Sequence, residues 1–176
     1  MKQIKLNRGK FAMVDDRDYA RMKKIHWWVH FGRNTLYAIG KSYGRNGKTL
    51  YMHRMINKTP DGFETDHKDG NGLNNQRHNL RTSTGNQNNH NKGKYKNNTS
   101  GFKGVSKNYT KYHRILKTGE EKITYYYCWE AAIWFLGKKY HLGKFPFTNK
   151  GKKLAAKRYN DMAHYFHGEF AKLNKV

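Results

Sequence analysis

From residue 1 to about 56, apolar and aromatic residues come in short runs broken by charge. "KQIKL", "KFAMV", "IHWWVHF" and "TLYAIGKSY" predict short strands. "DDRDYARMKK" predicts a short helix capped by Asp15 or Asp16. "GRNGK" predicts a tight turn leading into "TLYMHRMI", where the strand-like pattern continues to about residue 56. Trp27 and Trp28 are expected at the core and its edge. A second region, 59–91, is rich in Asn and Gly, with two further strand candidates, "GFET" and "NLRTS". "TGNQ" then fits a capping box, with Thr84 as N-cap and Gln87 reaching back. A helix starting there carries Asn88 and Asn91 on one face.

The stretch "HNKGKYKNNTSG" is polar, basic and nearly free of apolar residues, and predicts an extended linker over 93–99. Strand signals return in "FKGVSKN", "ITYYYCWEAAIWFLG" and "KKYHLGKF". Leu154, Ala155, Tyr159, Met162, Ala163 and Phe166 then recur at helical spacing, with Lys152, Lys153, Lys157, Arg158 and His164 largely elsewhere. The pattern therefore predicts an α+β chain. Its N-terminal domain spans 1–92 and the second domain 100–176. At 176 residues and 36% hydrophobic, two small cores fit better than one large one.

Charge sharpens the picture. Thirty-six Lys and Arg face twelve Asp and Glu, a net charge of +24. Such an excess repels itself in the folded state and calls for a polyanionic partner, with nucleic acid first. A membrane partner is not expected, because the chain has no amphipathic basic helix with a long aliphatic face and no apolar run of spanning length. The one cysteine, Cys128, excludes an intramolecular disulfide and any Cys-rich zinc site. It reads as a small strand residue beside aromatics. The N-terminus does not read as a signal peptide.

The stretch "TDHKDGNGLNNQRHNLRTSTGNQNNHN" (65–91) is the candidate chemistry. "DGN" suggests a calcium loop, but an EF-hand register leaves one carboxylate and no bidentate Glu. Read as strand, loop, strand and helix, "DH" at 66–67, "DGN" at 69–71, "NN" at 74–75, "NLR" at 79–81 and Asn88 together resemble the HNH nuclease motif, the ββα-metal finger (about 59–92), in the branch found in phage and intron-encoded homing endonucleases. "YMHRMI" resembles the lead-in of such enzymes. The last of the three motif positions is Asn88 rather than His.

The resemblance implies a catalytic base, His67, with Asn79 accepting a hydrogen bond from its other ring nitrogen. It also implies one magnesium or manganese ion held by Asp66 and the Asn88 amide oxygen. Hard oxygen donors suit those ions better than zinc, and an imidazole near neutrality suits proton abstraction from water. Plainer roles stand beside these: Asn79 as a turn residue, Asn88 as a solvated helix residue, Asp69 closing the Gly70 bend. Arg81 either contacts a phosphate or is merely exposed. His53, His78 and His90 read as phosphate neighbours or surface residues.

Residues 100–174 resemble the APETALA-type, ethylene-response-factor DNA-binding domain, through "GFKGVS", "WEAAI", "YHLGKF", "AAKRYNDMA" and the ending "GEFAKLN". The resemblance implies a three-stranded antiparallel sheet packed on one helix, with the sheet in the major groove. Its departures are a long first hairpin and Ala132, Trp134, Lys139 and nearby His141 where relatives carry Arg. DNA contacts are expected from Arg81, from Lys92, Lys94 and Lys96 on the linker, and from Lys103, Lys107, Trp129, Trp134, Lys139 and His141. Trp129 and Trp134, five apart, are expected on opposite faces. Lys152 and Lys153 either contact phosphate or form a solvated face.

These expectations combine into a metal-dependent DNA endonuclease, monomeric and without a small-molecule cofactor. It would leave 5′-phosphate and 3′-hydroxyl ends by nicking or double-strand cleavage. The resemblance further implies a phage or mobile-element product acting in the host cytoplasm. The alternatives are a non-catalytic DNA-binding regulator and a structural RNA-binding protein.

Overall fold

Antiparallel pairing of short strands builds every sheet among the described residues, which are 1–32, 35–44 and 47–176 of a computed structural model. The fold is α+β, with small antiparallel sheets and, among the described residues, four α-helices, and it divides into two compact units, Met1–Lys92 and Gly93–Val176. The centre of the expected "GRNGK" turn, Arg45 and Asn46, lies outside the described residues.

In unit 1, β1 (Lys2–Lys5) pairs with β2 (Phe11–Val14), and α1 (Asp16–Met22) follows. β3 (Trp27–Phe31), β4 (Leu36–Lys41) and β5 (Thr49–Tyr51) form a second sheet in that order. The strand reading of "TLYMHRMI" is corrected here. Pairing ends at Tyr51, and Met52–Asn57 form a helix, α2, burying Met52, His53 and Ile56. Its apolar residues suit a single turn packed on the core as well as they suit a strand. Trp27 is buried, with its indole N–H donating to Met22 O at 2.7 Å, and Trp28 is half-buried. The core combines Ile4, Val14, Met22, Trp27, Val29, Met52, Ile56 and Leu80.

β6 (Glu64–His67) and β7 (Leu80–Ser83) form a two-stranded ribbon, followed by α3 (Gly85–Asn91). The capping box is complete. Thr84 Oγ1 accepts from Gln87 N, and Gln87 Oε1 accepts from Thr84 N. The first strands brace the loop between β6 and β7. Met13 N donates to Leu73 O and Asn75 N to Met13 O, both at 2.8 Å. Buried Asp18 accepts two guanidinium bonds from Arg77 at 2.7 and 2.8 Å. Those bonds hold the Asp18 carboxyl below its ordinary pKa against the opposing effect of burial.

In unit 2, β8 (Val105–Ile115), β9 (Glu121–Phe135) and β10 (Lys138–Pro146) form a sheet with β9 central, and α4 (Asn149–His167) packs on it. Its apolar contacts centre on Val105, Ala131, Ala155, Ala156, Ile133, Tyr159 and Ala163. Leu154, expected on the buried face, is 43% exposed, and Ala156 is buried instead. The helix lies so close to the sheet that alanines fill the contact. Gly104 is one reason it can: φ is +72°, and a Cβ there would stand 2.0 Å from the Tyr159 ring. Asn174 closes the unit through bonds to both Lys103 N and Lys103 O. The expected linker is partly folded: the Asn98 amide bonds Phe102 O and Gly101 N, and Ser100 is buried.

Candidate functional site

Alternation along β6 separates its side chains onto two faces. Thr65 and His67, with their neighbours Leu80 and Thr82 on β7, face α2. Asn57 on α2 donates to Thr82 Oγ1, while Leu80 joins the core with Met52 and Ile56. Glu64 and Asp66 face α3, where Asn88 donates to Glu64 at 2.5 Å and Asn91 to Asp66 at 2.9 and 3.1 Å. Adjacent Asp66 and His67 therefore serve different faces.

Asp66 is buried and well satisfied. Arg81, its cross-strand partner, donates from Nε at 2.8 Å and from a terminal nitrogen at 2.6 Å, both to Oδ2. Asn91 also ties the helix to the strand end by donating to His67 O at 2.8 Å. Two expectations are corrected. Arg81 is not directed at solvent, because the buried carboxylate across the ribbon is its stronger partner. Asn88 does not reach Asp66, because one helical turn separates the two amides, and Asn91 is the one that lands there. Glu64 was missed, although its position two residues before Asp66 puts it on the same strand face.

His67 is buried under aromatic neighbours. Its ring centroid lies 5.2 Å from that of His53, edge-on, and 6.1 Å from that of Tyr37. Burial lowers its pKa, opposed by the Asn75 side chain and by the charges of Asp69 and Asp66. Asn75 lies near enough to raise the ring's proton affinity, yet neither His67 Nε2 nor Asn75 Oδ1 has a hydrogen-bond partner among the described residues. The imidazole is thus neutral at pH 7, with one nitrogen unengaged. His53 is also buried, and desolvation, then the His67 and Arg54 charges, push it down to about 3. The reading of His53 as a surface residue is corrected, since α2 turns it inward against the His67 ring.

Asn79 does not orient the His67 ring. Its side-chain oxygen accepts from Asp69 N at 3.0 Å, and its Nδ2 donates to Asp69 Oδ1 and Asn74 O, both at 2.9 Å. Asp69 also accepts from Asn71 N and Asn74 Nδ2 at 2.8 Å. Burial would raise the Asp69 pKa, but these bonds outweigh it and hold the carboxyl low. The Asn-rich loop is therefore a clasp around one carboxylate, with Asn79 at its centre, and it fixes where β6 ends. His78 is exposed and His90 half-buried.

On unit 2, the sheet face away from α4 carries Trp134, which is 62% exposed, with Lys139 beside it and His141 opposite Ala132. Buried Glu130 gathers this face: Lys139 lies 3.2 Å from it, His141 2.7 Å, and Asn108 donates to it. Lys139 and His141 are thus ion-pair partners as well as surface groups. Trp129 belongs to the opposite, helix-facing side, stacked on Phe147 at 4.9 Å, so it and Trp134 stand on opposite faces as their spacing expects. Lys107 lies on that same side, over the Tyr127 ring. Lys103 is half-buried at the base of the sheet, where desolvation and then Lys172 lower its pKa to about 8. Lys92, Lys94 and Lys96 are exposed.

Among the described residues, no three His, Cys, Asp or Glu side chains cluster as metal ligands, and no helix is long and apolar enough to cross a membrane. No protein-family model, curated protein or solved structure matches the chain.

Proposed function

We propose that the chain is a metal-dependent DNA endonuclease of the HNH type, with β6, β7 and α3 as its ββα finger and unit 2 as its duplex-binding domain. The supporting observation is the end of β6. There two consecutive residues present a carboxylate met by α3 amides on one face and a neutral histidine with an unengaged nitrogen on the other.

The donor set fits a hard divalent ion. Asp66 and Glu64 would offer oxygen ligands, which suit magnesium or manganese, while the Asn88 and Asn91 amides, which here turn Nδ2 to these carboxylates, would have to rotate to add theirs. When bound, such an ion supplies Lewis-acid stabilisation of the phosphate and of the departing 3′ oxygen. The chain's residues do the rest. His67 Nε2 takes the proton of the attacking water, which its neutral state permits. Nε2 is closed to solvent, so DNA must displace part of its cover, Tyr37 or His53, to bring water there. The Asp69–Asn79 clasp keeps the strand end in place. On unit 2, Trp134, Lys139 and His141 form the surface offered to a duplex.

One observation favours a second reading, a DNA-binding regulator with a non-catalytic finger: Asp66 is already taken up by Arg81 and Asn91. Supercoiled plasmid incubated with magnesium separates the two. The endonuclease reading expects nicked or linear product from the wild type, none from His67→Ala, and equal DNA binding by both. Cutting by His67→Ala at the wild-type rate would overturn the assignment, and binding without any magnesium-dependent cutting would establish the regulator.

A further inference from the structure

β8 and β9 run on past the region that α4 and β10 cover. β10 pairs with β9 only over Cys128–Phe135, whereas β8 continues beside β9 to the Ile115–Glu121 pair. The projecting ribbon therefore has no third strand beside it among the described residues. From it a line of five rings in contact runs back towards α4, Tyr125, Tyr109 and Tyr127 on the ribbon, then Phe147 after β10 and Trp129 at the edge of the core, with successive centroids 5.4, 6.1, 5.7 and 4.9 Å apart. Exposures of 47% for Tyr125, 55% for Tyr109, 46% for Tyr127 and 42% for Phe147 leave ring surface open to solvent.

Cations stand over this line. Lys107 Nζ is 4.0 Å from the Tyr127 centroid and 5.0 Å from that of Phe147, and Lys152 Nζ is 5.3 Å from that of Trp129. Lys111 lies on the same face, opposite Tyr125. The face has one carboxylate, Glu121 at the tip, and it pairs with His113 at 2.9 Å. A line of open rings flanked by lysines matches the needs of a strand of unpaired bases, with rings for the bases and ammonium groups for the phosphates. A duplex has its base faces already stacked and offers the rings nothing. A second copy of the chain, at +24, would set the same lysines against one another.

We propose that the inner face of the β8–β9 ribbon is a stacking platform for single-stranded DNA, separate from the open sheet face offered to the duplex. The proposal rests on the reading of the chain as a DNA-binding protein, not on its nuclease chemistry. Its biochemical sense is to hold a strand that has come unpaired.

The test uses the full chain without metal and two fluorescein-labelled oligonucleotides of equal length, oligothymidylate and a fully abasic analogue. Both carry the same phosphates, so non-specific attraction cancels. The wild type is expected to prefer oligothymidylate by at least about tenfold. Tyr109→Ala/Tyr127→Ala should lose that preference while binding the abasic strand and duplex DNA as before, and Tyr109→Phe/Tyr127→Phe should keep it. Unchanged duplex binding and circular dichroism show that the variant is folded. Equal wild-type affinity for the two oligonucleotides, or an undiminished preference in the alanine variant, would overturn the platform even if the duplex is bound. Tighter binding of oligouridylate than of oligothymidylate would overturn it in favour of RNA. Loss of duplex binding by the wild type as well would overturn the DNA reading itself.

Discussion

His53 shows how much a single buried side chain sets. Its folded pKa is depressed to about 3, so below about pH 6.5 the unfolded chain takes up a proton that the folded chain refuses. Acid therefore destabilises unit 1, with the loss beginning near 6.5 and continuing towards 3. The expected slope is up to about 1.4 kcal/mol per pH unit for this histidine, with His67 adding in the same direction. Urea unfolding at pH 7, 6 and 5 measures it, and His53→Phe should flatten the curve. Arg81 offers a second test. Arg81→Ala strips Asp66 of its cation and is expected to cost about 1–3 kcal/mol in chelator. Added manganese should restore part of this in thermal melts if Asp66 is a metal ligand. Little at this scale was legible beforehand. The letters Asp66 and His67 were visible, but Asn79, Asn88 and Arg81 each found a partner that spacing alone did not distinguish. In an Asn-rich loop several amides compete for one carboxylate, and only the folded backbone decides which wins.

Elements were easier to read than their contacts. The Thr84–Gln87 capping box and the second and third strands of the second half follow from local chemistry and stand close to where the pattern put them, whereas β8, expected over 102–108, runs over Val105–Ile115 and turns most of the expected hairpin connection into paired strand. The boundary at Tyr51–Met52 did not follow either, because a six-residue helix is too short to display a period. The phase of α4 was also misjudged at Leu154, since its burial is governed by how closely the sheet approaches rather than by side-chain hydrophobicity. Gly104 makes that approach testable. Gly104→Ala must accommodate a positive φ and a clash with Tyr159, so unit 2 should lose about 2 kcal/mol or more. Denaturant titration followed by tryptophan fluorescence would report it, because Trp129 and Trp134 both lie in this unit.

At the scale of the whole molecule, two separate cores carry one large positive charge. Lys92, Lys94 and Lys96 are exposed where the units meet in sequence, and each unit holds its own hydrogen-bonded sheets. Limited trypsin digestion is expected to cut first within 92–96 and to leave two persistent fragments, read by mass spectrometry against time. First cuts inside β6 or β9 would contradict independent units. The two-unit division was legible in composition, through the polar, apolar-poor run after residue 91. The folding of Asn98 and Ser100 back onto their own unit was not, because their bonds go to backbone atoms that no side-chain pattern reports.

The two-sidedness of β6 has an evolutionary corollary. Asp66 answers to α3 and His67 to α2, so each can be retuned by substitutions on its own helix. On the proposed nuclease reading, changes around His53 are expected to alter proton transfer and leave ion preference alone, and changes around Asn91 to do the reverse. A one-residue slip within Glu64–His67 would exchange the two neighbourhoods at once. Descendants of this sequence should therefore drift at the exposed positions of either helix while holding the length of that four-residue strand fixed.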